Sequence, residues 1–397
     1  MSESDPQSYF VIPLSIQKDG EQYLVGNADT GDFYQFPESA VTLLNMLKSG
    51  STPKEIQTHS VKYGLEDIDV PDFIEQLLSI QFVYLSENSH EFWQKIRDEG
   101  NRGRIFNIDR RLASLMLSPL TFVAYLSLVG YALYDAIICP QLRINWHAFY
   151  TDNYRAALLL LVVILSLGGV VVHELGHMIA AAKYGVKSKY GIGTRLWTIV
   201  AETDLTGIMS LPKKSRYFPL MAGMMVDIFV IAALTLLIQV LLHYGRGGFA
   251  IQVVQALVLQ TIASMVWQFN IFVKTDIYYV ICTYFGQPDL DREAKTYLRN
   301  WLYRLSLGTF GTRASNQQSK HTGMLRIFSA IWLLGRVFSF GMLFGVYLPT
   351  IIHYIVSAVH SANGPTHSLW VASDTILFAL ISLSITGIGM YMWLKQR

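Results

Sequence analysis

The sequence predicts a polytopic α-helical membrane protein of about six spans, preceded by a small winged-helix-like α+β domain. Three observations point there. Only 15% of the 397 residues are charged and 52% are hydrophobic, against a charged share of about 25% in soluble domains. Apolar runs of about 20 residues or more, long enough to cross a bilayer, recur beyond residue 111. The first 90 residues, by contrast, mix apolar and charged positions as a water-exposed domain requires. The expected organisation is therefore an α+β domain at 1–90, a juxtamembrane connector at 91–111, a membrane core of four spans at 112–284, a loop at 285–323, and two further spans with a short tail at 324–397.

In the first domain, Tyr9 to Ile16 and Gln22 to Tyr34 read as strands, with a turn at Asn27-Ala-Asp-Thr-Gly31. Pro37-Glu38 opens a helix whose Val41, Leu43, Leu44 and Leu47 fall largely on one side before a stop at Gly50. A second helix starts with Thr52 as N-cap, Pro53 in the first turn and Glu55 as capping-box acid. A third begins at Asp69 or Val70-Pro71 and runs through Phe73, Ile74, Leu77 and Leu78, and Gln81 to Leu85 returns as a strand. This order of elements, and the stretch Gln22 to Ala40 above all, resembles the PqqD-like domains that bind leader peptides of ribosomally made, modified peptides. The resemblance implies that a peptide adds as a strand to an exposed sheet edge. No dense Lys/Arg helix is present, so nucleic acid is not an expected partner.

Six spans are expected, at about 112–138, 156–182, 217–242, 251–284, 324–356 and 369–394, the fourth and fifth long enough to be broken helices. No signal-peptide pattern opens the chain, so the first span is expected to act as the insertion signal. Basic residues gather between spans two and three (Lys183, Lys187, Lys189, Arg195, Lys213, Lys214, Arg216), between four and five (Arg292, Lys295, Arg299, Arg304, Arg313, Lys320), and at Lys395 and Arg397. The opposite loops hold only Arg143, Arg155 and Arg246. The positive-inside rule then puts both termini in the cytoplasm, in a bacterial inner or cytoplasmic membrane. Cys139 and Cys282 form neither a disulfide framework nor a paired-thiolate metal site.

The second span carries His173-Glu174-Leu175-Gly176-His177. Residues four apart share a helix face, so both imidazoles can ligate one Zn²⁺. Glu174 is turned about a quarter of the way round the helix, placed to take a proton from water rather than to bind the ion. Three ionisable residues in five positions of an apolar helix are costly unless paired or metal-bound. Gly176 lets another element approach closely. A catalytic zinc site needs a third protein ligand. Asp276, at the same depth near the end of span four, is the candidate; Asn270 is a candidate group for hydrogen bonding the substrate backbone.

From Ala156 to Tyr284 the chain resembles the site-2-protease-like intramembrane metallopeptidases, and within them the peptide zinc metalloprotease group, on the HExxH helix followed by Phe269-Asn270 and Asp276 with Tyr278-Tyr279. The resemblance implies that His173, His177 and Asp276 hold zinc and that Glu174 activates water. It also implies that Ala222-Gly223 and Asp227 lie on a helix packed against the zinc helices. Ile271, Ile277 and Met224 stand where the family commonly has Pro, Gly and Pro.

Other residues are weaker signals. Tyr190 to Val200 reads as a strand with Glu202 to Met209 returning beside it, and Trp197 as an interface anchor. Arg336, inside span five, needs a partner, with Asp227 and Asp374 the candidates. His353, His360 and His367 are too loosely spaced to argue a second metal site. Gly191-x-Gly193 has no Lys-Ser/Thr behind it and is no phosphate loop. The expected function is an intramembrane zinc endopeptidase acting on a modified peptide precursor or its leader, with export left to a separate transporter. The alternatives are a non-proteolytic zinc-containing component of peptide maturation, export or immunity, and a regulatory protease that releases a membrane-tethered factor.

Overall fold

The computed structural model describes residues 8–395 except 31, 63–68, 101–103, 107, 152–153, 196–197, 246, 288–289, 306–321, 343, 346–347, 350–351, 353–355 and 357–368. The three histidines at 353, 360 and 367, Trp197, Arg246, Arg313 and Lys320 thus lie outside the described residues. The chain is a mostly helical, multi-span membrane protein with a strand-and-helix N-terminal region. It forms two compact units.

The first unit gathers residues 1–113, 178–191 and 203–219. Strand β1 (Tyr9–Val11) pairs antiparallel with β5 (Val83–Leu85), and β2 (Ser15–Asp19), β3 (Gln22–Gly26) and β4 (Phe33–Phe36) form a second antiparallel sheet in that order. Pro13 divides what the sequence suggests is one strand from Tyr9 to Ile16 into β1 and β2, because proline donates no ladder hydrogen bond. Asn27 makes the turn by accepting the N–H groups of Asp29 and Thr30, at 2.7 and 3.0 Å. Helices α1 (Glu38–Lys48), α2 (Pro53–Lys62) and α3 (Val70–Ser79) follow. Thr52 and Glu55 close the expected capping box, and Asp69 caps α3 through the Asp72 N–H. Leu43, Leu44 and Leu47 of α1, Ile56 of α2, Ile74 and Leu77 of α3, and Ile12 and Phe82 make one core. Each such side chain contributes about 1.5–3 kcal/mol on burial. Helix α4 (Ser89–Gly100) seats Phe92 on that core, and β6 (Arg104–Phe106) leads to α5 (Arg110–Met116).

The same unit holds an ion cluster that the sequence does not reveal. Asp19, at the end of β2, lies 3.4 Å from Lys213 and 3.5 Å from Arg216. Arg216 is buried and its Nε also donates to the carbonyl of Leu211 at 2.8 Å. Ser15 Oγ donates to the carbonyl of Ser210, so the β2 edge of the sheet faces the segment leading into α8 (Lys213–His243).

The second unit gathers residues 114–177, 192–202 and 220–397. Five described helices are long and apolar enough to cross a membrane: α6 (Pro119–Ile138), α7 (Arg155–Lys183), α8, α9 (Phe249–Trp267), and a stretch of the C-terminal helix (Leu369–Lys395). The expected fourth span ends at Trp267; the chain then breaks and resumes as α10 (Asp276–Phe285) and α11 (Leu290–Leu305). Of the expected fifth span, Thr322–Met342 is described as helix α12, and the C-terminal helix is α13. Asp374 of α13 accepts the N–H groups of Arg155 and Ala156, at 2.7 and 3.1 Å, and so caps α7 from another helix.

Strands β7 (Ser188–Arg195) and β8 (Thr198–Asp204) lie between α7 and α8. The return strand begins at Thr198, earlier than the sequence suggests, and 206–210 is a 3-10 turn rather than strand.

Candidate metal centre

Two helices approach closely to build the site, and glycine permits it on both sides. A Cβ on Gly176 of α7 would come 2.6 Å from Val226 Cγ2 and 3.2 Å from the carbonyl oxygen of Ala222. A Cβ on Gly223 of α8 would come 2.6 Å from His173 Cε1 and nearer still to the Nε2 atoms of both His173 and His177. Among apolar spans lipid gives no hydrophobic drive to pack, so small residues that admit a neighbouring backbone decide where helices meet.

The third element arrives through a broken backbone. After α9, residues 271–273 form a 3-10 turn and Lys274 takes a left-handed conformation (φ 56°, ψ 51°). The Thr275 hydroxyl donates to the carbonyl of Gln268, and the Asp276 N–H to the Gln268 side chain at 3.2 Å. Asp276 thereby opens α10 with its carboxylate directed at the α7 histidines. Ile277 lies inside α10, where helical backbone needs no glycine, and the positive φ falls at Lys274.

His173 Nε2, His177 Nε2 and Asp276 Oδ2 form an equilateral triangle with sides of 3.2 Å. His173 Nδ1 lies 2.9 Å from Asp227 Oδ2, and all four side chains are largely buried. If His173 donates its Nδ1–H to Asp227, its Nε2 presents a lone pair to the triangle. The Asp276 carboxylate presents only lone pairs as well. A bridging proton can relieve one edge of such a triangle at a time, whereas one cation at its centre relieves all three. Donors on a tetrahedral zinc ion, at about 2.0–2.1 Å each, stand roughly 3.3–3.4 Å apart. The spacing fits a divalent metal. The Gly223 side of the triangle is the space a methyl group would fill.

The structure thus brings together three of the sequence-derived site residues, His173, His177 and Asp276, as a cluster able to hold a metal ion. Glu174 is buried next to them on α7. Asn270 is buried six residues before Asp276, where its N–H donates to Trp267 O and its carbonyl accepts from Val273. It is not one of the clustered ligand atoms.

Sequence reasoning missed what Asp227 does. Its four-residue spacing from Gly223 is the available signal, since it puts the point of close approach and the carboxylate on one helix face. Arg336 corrects a further expectation. Asp227 faces His173, Asp374 caps α7, and the Arg336 guanidinium instead lies 4.3 Å from the centre of the Trp332 ring. Cation–π contact supplies the partner.

A second buried cluster surrounds Asp291 of α11. Its Oδ1 accepts the Trp332 indole N–H at 2.8 Å, and its Oδ2 lies 2.6 Å from Lys295 Nζ and 3.8 Å from Lys274 Nζ. Its N–H donates to the hydroxyl of Tyr278, two residues beyond Asp276. The cluster ties α10, α11 and α12 together around the Asp276 turn. The sequence reads this segment as the start of a charged loop and gives no sign of it.

The chain is therefore a polytopic helical membrane protein with a buried His/His/Asp cluster able to coordinate a divalent metal. It matches no family model, no curated protein and no solved structure.

Proposed function

We propose that this protein is an intramembrane zinc endopeptidase that cleaves a ribosomally made, modified peptide precursor or its leader. The observation that carries the reading is the 3.2 Å triangle of His173, His177 and Asp276, whose two histidines lie on the spanning helix α7 with Glu174 buried one residue from a ligand. His173, His177 and Asp276 would hold the zinc, and the ion would supply Lewis acidity for a scissile carbonyl and for water. Glu174 takes the proton from the attacking water and returns it to the leaving amine. Asp227 fixes the tautomer and ring orientation of His173. The Asn270 amide hydrogen-bonds the substrate backbone, which must enter extended because a helix conceals its carbonyls in its own hydrogen bonds.

The N-terminal unit recruits the precursor as an added strand. The β2 edge faces Ser210 and Arg216, and β4 is the outer strand at the other side of the sheet, the edge we assign to the precursor. The termini lie in the cytoplasm, and a separate transporter exports the product.

The test is cleavage by purified protein of known zinc content, offered a peptide library and read by mass spectrometry. Wild type is expected to cleave. Glu174→Gln is expected to lose about 10²–10⁴-fold in rate while keeping its zinc. Equal cleavage by the variant, or none by either protein with zinc in place, removes the peptidase reading in favour of a non-proteolytic metal protein.

A further inference from the structure

The first unit contains a cavity of about 440 Å³ lined by Asp109, Arg110, Ala182, Gly185, Lys187 and Ser188, among others. That volume falls in the range of small-ligand sites. Its position along the chain sets its depth. Ala182 is one residue from the end of the spanning helix α7, where Gly185 (φ +76°) turns the chain and the N–H groups of Gly185 and Val186 close on the carbonyls of Ala182 and Ala181. Arg110 opens α5, which ends three residues before α6 begins. The cavity therefore sits where spans give way to water, at the level of lipid head groups.

Its lining carries two cations, Arg110 and Lys187, against one carboxylate, Asp109. Arg110 Nε donates to the carbonyl of Lys183 at 3.2 Å, which anchors the guanidinium and leaves both Nη groups for another acceptor. Among the described residues neither Arg110 nor Lys187 has a carboxylate within ion-pair distance. Asp109 is occupied at the start of α5, where its Oδ1 accepts the Arg111 N–H at 2.8 Å. The Arg110 bond also satisfies a carbonyl at the α7 C-terminus, whose dipole would otherwise disfavour an anion.

A separate observation concerns α5 itself. Leu112, Leu115 and Met116 are 52%, 68% and 47% exposed on a seven-residue helix that starts Arg110-Arg111. Large apolar side chains beside paired arginines, outside any span, are the pattern of a segment lying in the bilayer interface. Leu112, two residues from Arg110 in the same unit, offers acyl chains a surface next to a cavity that offers cations.

We infer that this cavity binds the phosphate of a membrane phospholipid, with Arg110 and Lys187 as its ligands and the exposed Leu112 of α5 against its acyl chains. The site is independent of the peptidase reading.

The experiment is native mass spectrometry of the detergent-purified full chain titrated with dioleoylphosphatidylglycerol, with dioleoylglycerol (the same chains without phosphate), and with inorganic phosphate as competitor. Wild type is expected to retain the phospholipid. The double variant Arg110→Gln/Lys187→Gln is expected to bind it about thirtyfold more weakly, at roughly 1 kcal/mol per cation near a lipid surface. Lys187→Gln alone leaves the Arg110–Lys183 bond intact and is expected to lose several-fold with unchanged metal content, which separates lipid binding from folding. Three results would each overturn the inference: equal phospholipid binding by the variants, equal binding of dioleoylglycerol, or displacement by millimolar phosphate, which would make the cavity a site for a soluble anion.

Discussion

Asp276 and Asp291 stand fifteen positions apart, both in buried polar clusters of the same unit, and their surroundings are opposite in kind. Around Asp291 every partner brings a hydrogen: the Trp332 indole and the ammonium groups of Lys295 and Lys274. The carboxylate is met by donors on both oxygens and by cations on one. Around Asp276 the partners are two imidazole nitrogens at 3.2 Å, and with the His173 Nδ1–H donated to Asp227 one of them presents a lone pair. That cluster is able to close around a cation. Burial alone therefore does not mark a site; the criterion is whether the buried groups satisfy one another. A self-satisfied cluster holds helices in place, and a cluster of converging acceptors holds something else.

The contrast is broken most severely at Gly223. A methyl group there would occupy the space beside both Nε2 atoms, against two rings that α7 and Asp227 hold still. Gly223→Ala is expected to reduce zinc affinity by more than about a hundredfold, beyond what loss of a supporting hydrogen bond costs. Chelator competition monitored by elemental analysis measures it, and a variant that still binds zinc at wild-type affinity would show that the ion does not use that space.

Asp227→Ala removes the partner of His173 Nδ1 but no ligand. Its expected cost is about 10–100-fold in zinc affinity. An unchanged affinity would mean that α7 alone orients the ring.

Asp291→Ala sharpens the comparison from the other side. It should leave zinc affinity within a few-fold of wild type and lower stability by about 1–3 kcal/mol, chiefly for the stranded Trp332 N–H. Lys295 and Lys274 add little to that cost, because their side chains are 54% and 43% exposed and can turn to water. Thermal unfolding in detergent and zinc titration together decide it. A large loss of affinity without loss of stability would make Asp291 a positioning residue for Asp276.

The two clusters also differ in how far the sequence discloses them. His173 and His177 are legible because a four-residue spacing in an otherwise apolar helix is hard to explain without a metal. Asp276 is legible from its expected depth, which agrees with that of the two histidines. The device that delivers it is not, since a left-handed Lys274 carries none of the glycine or asparagine signal of that conformation. Asp291 and Lys295 share α11 at i,i+4 spacing, but Trp332 comes from α12 and Lys274 from the turn before α10, and no periodicity links residues that meet only in the tertiary fold. The same holds for Asp19 and Arg216. In the N-terminal region the capping box and the core face of α1 are legible because both are local rules, whereas the division at Pro13 went unread although proline announces it.

The smallest effect lies in that water-facing region, where a carboxylate is held by backbone rather than by a cluster. The Thr52 N–H donates to Glu55 Oε2 at 2.8 Å, and this bond, reinforced by the Thr52 hydroxyl, holds the Glu55 carboxyl below the usual carboxylate range. A carboxyl with a lowered folded pKa stabilises the fold above its unfolded value, and that contribution disappears as pH falls through the folded value. Glu55 is fully exposed, so solvent keeps the contribution small and confines it to the start of α2. Hydrogen exchange at the first α2 amides of the full chain is expected to speed up, beyond its intrinsic pH dependence, as pH falls below the usual carboxylate range. Glu55→Gln should remove that acid-side change while leaving exchange at α1 and α3 as it was. An identical pH profile in the variant would show that Thr52 caps α2 unaided and that the reciprocal half of the box contributes nothing.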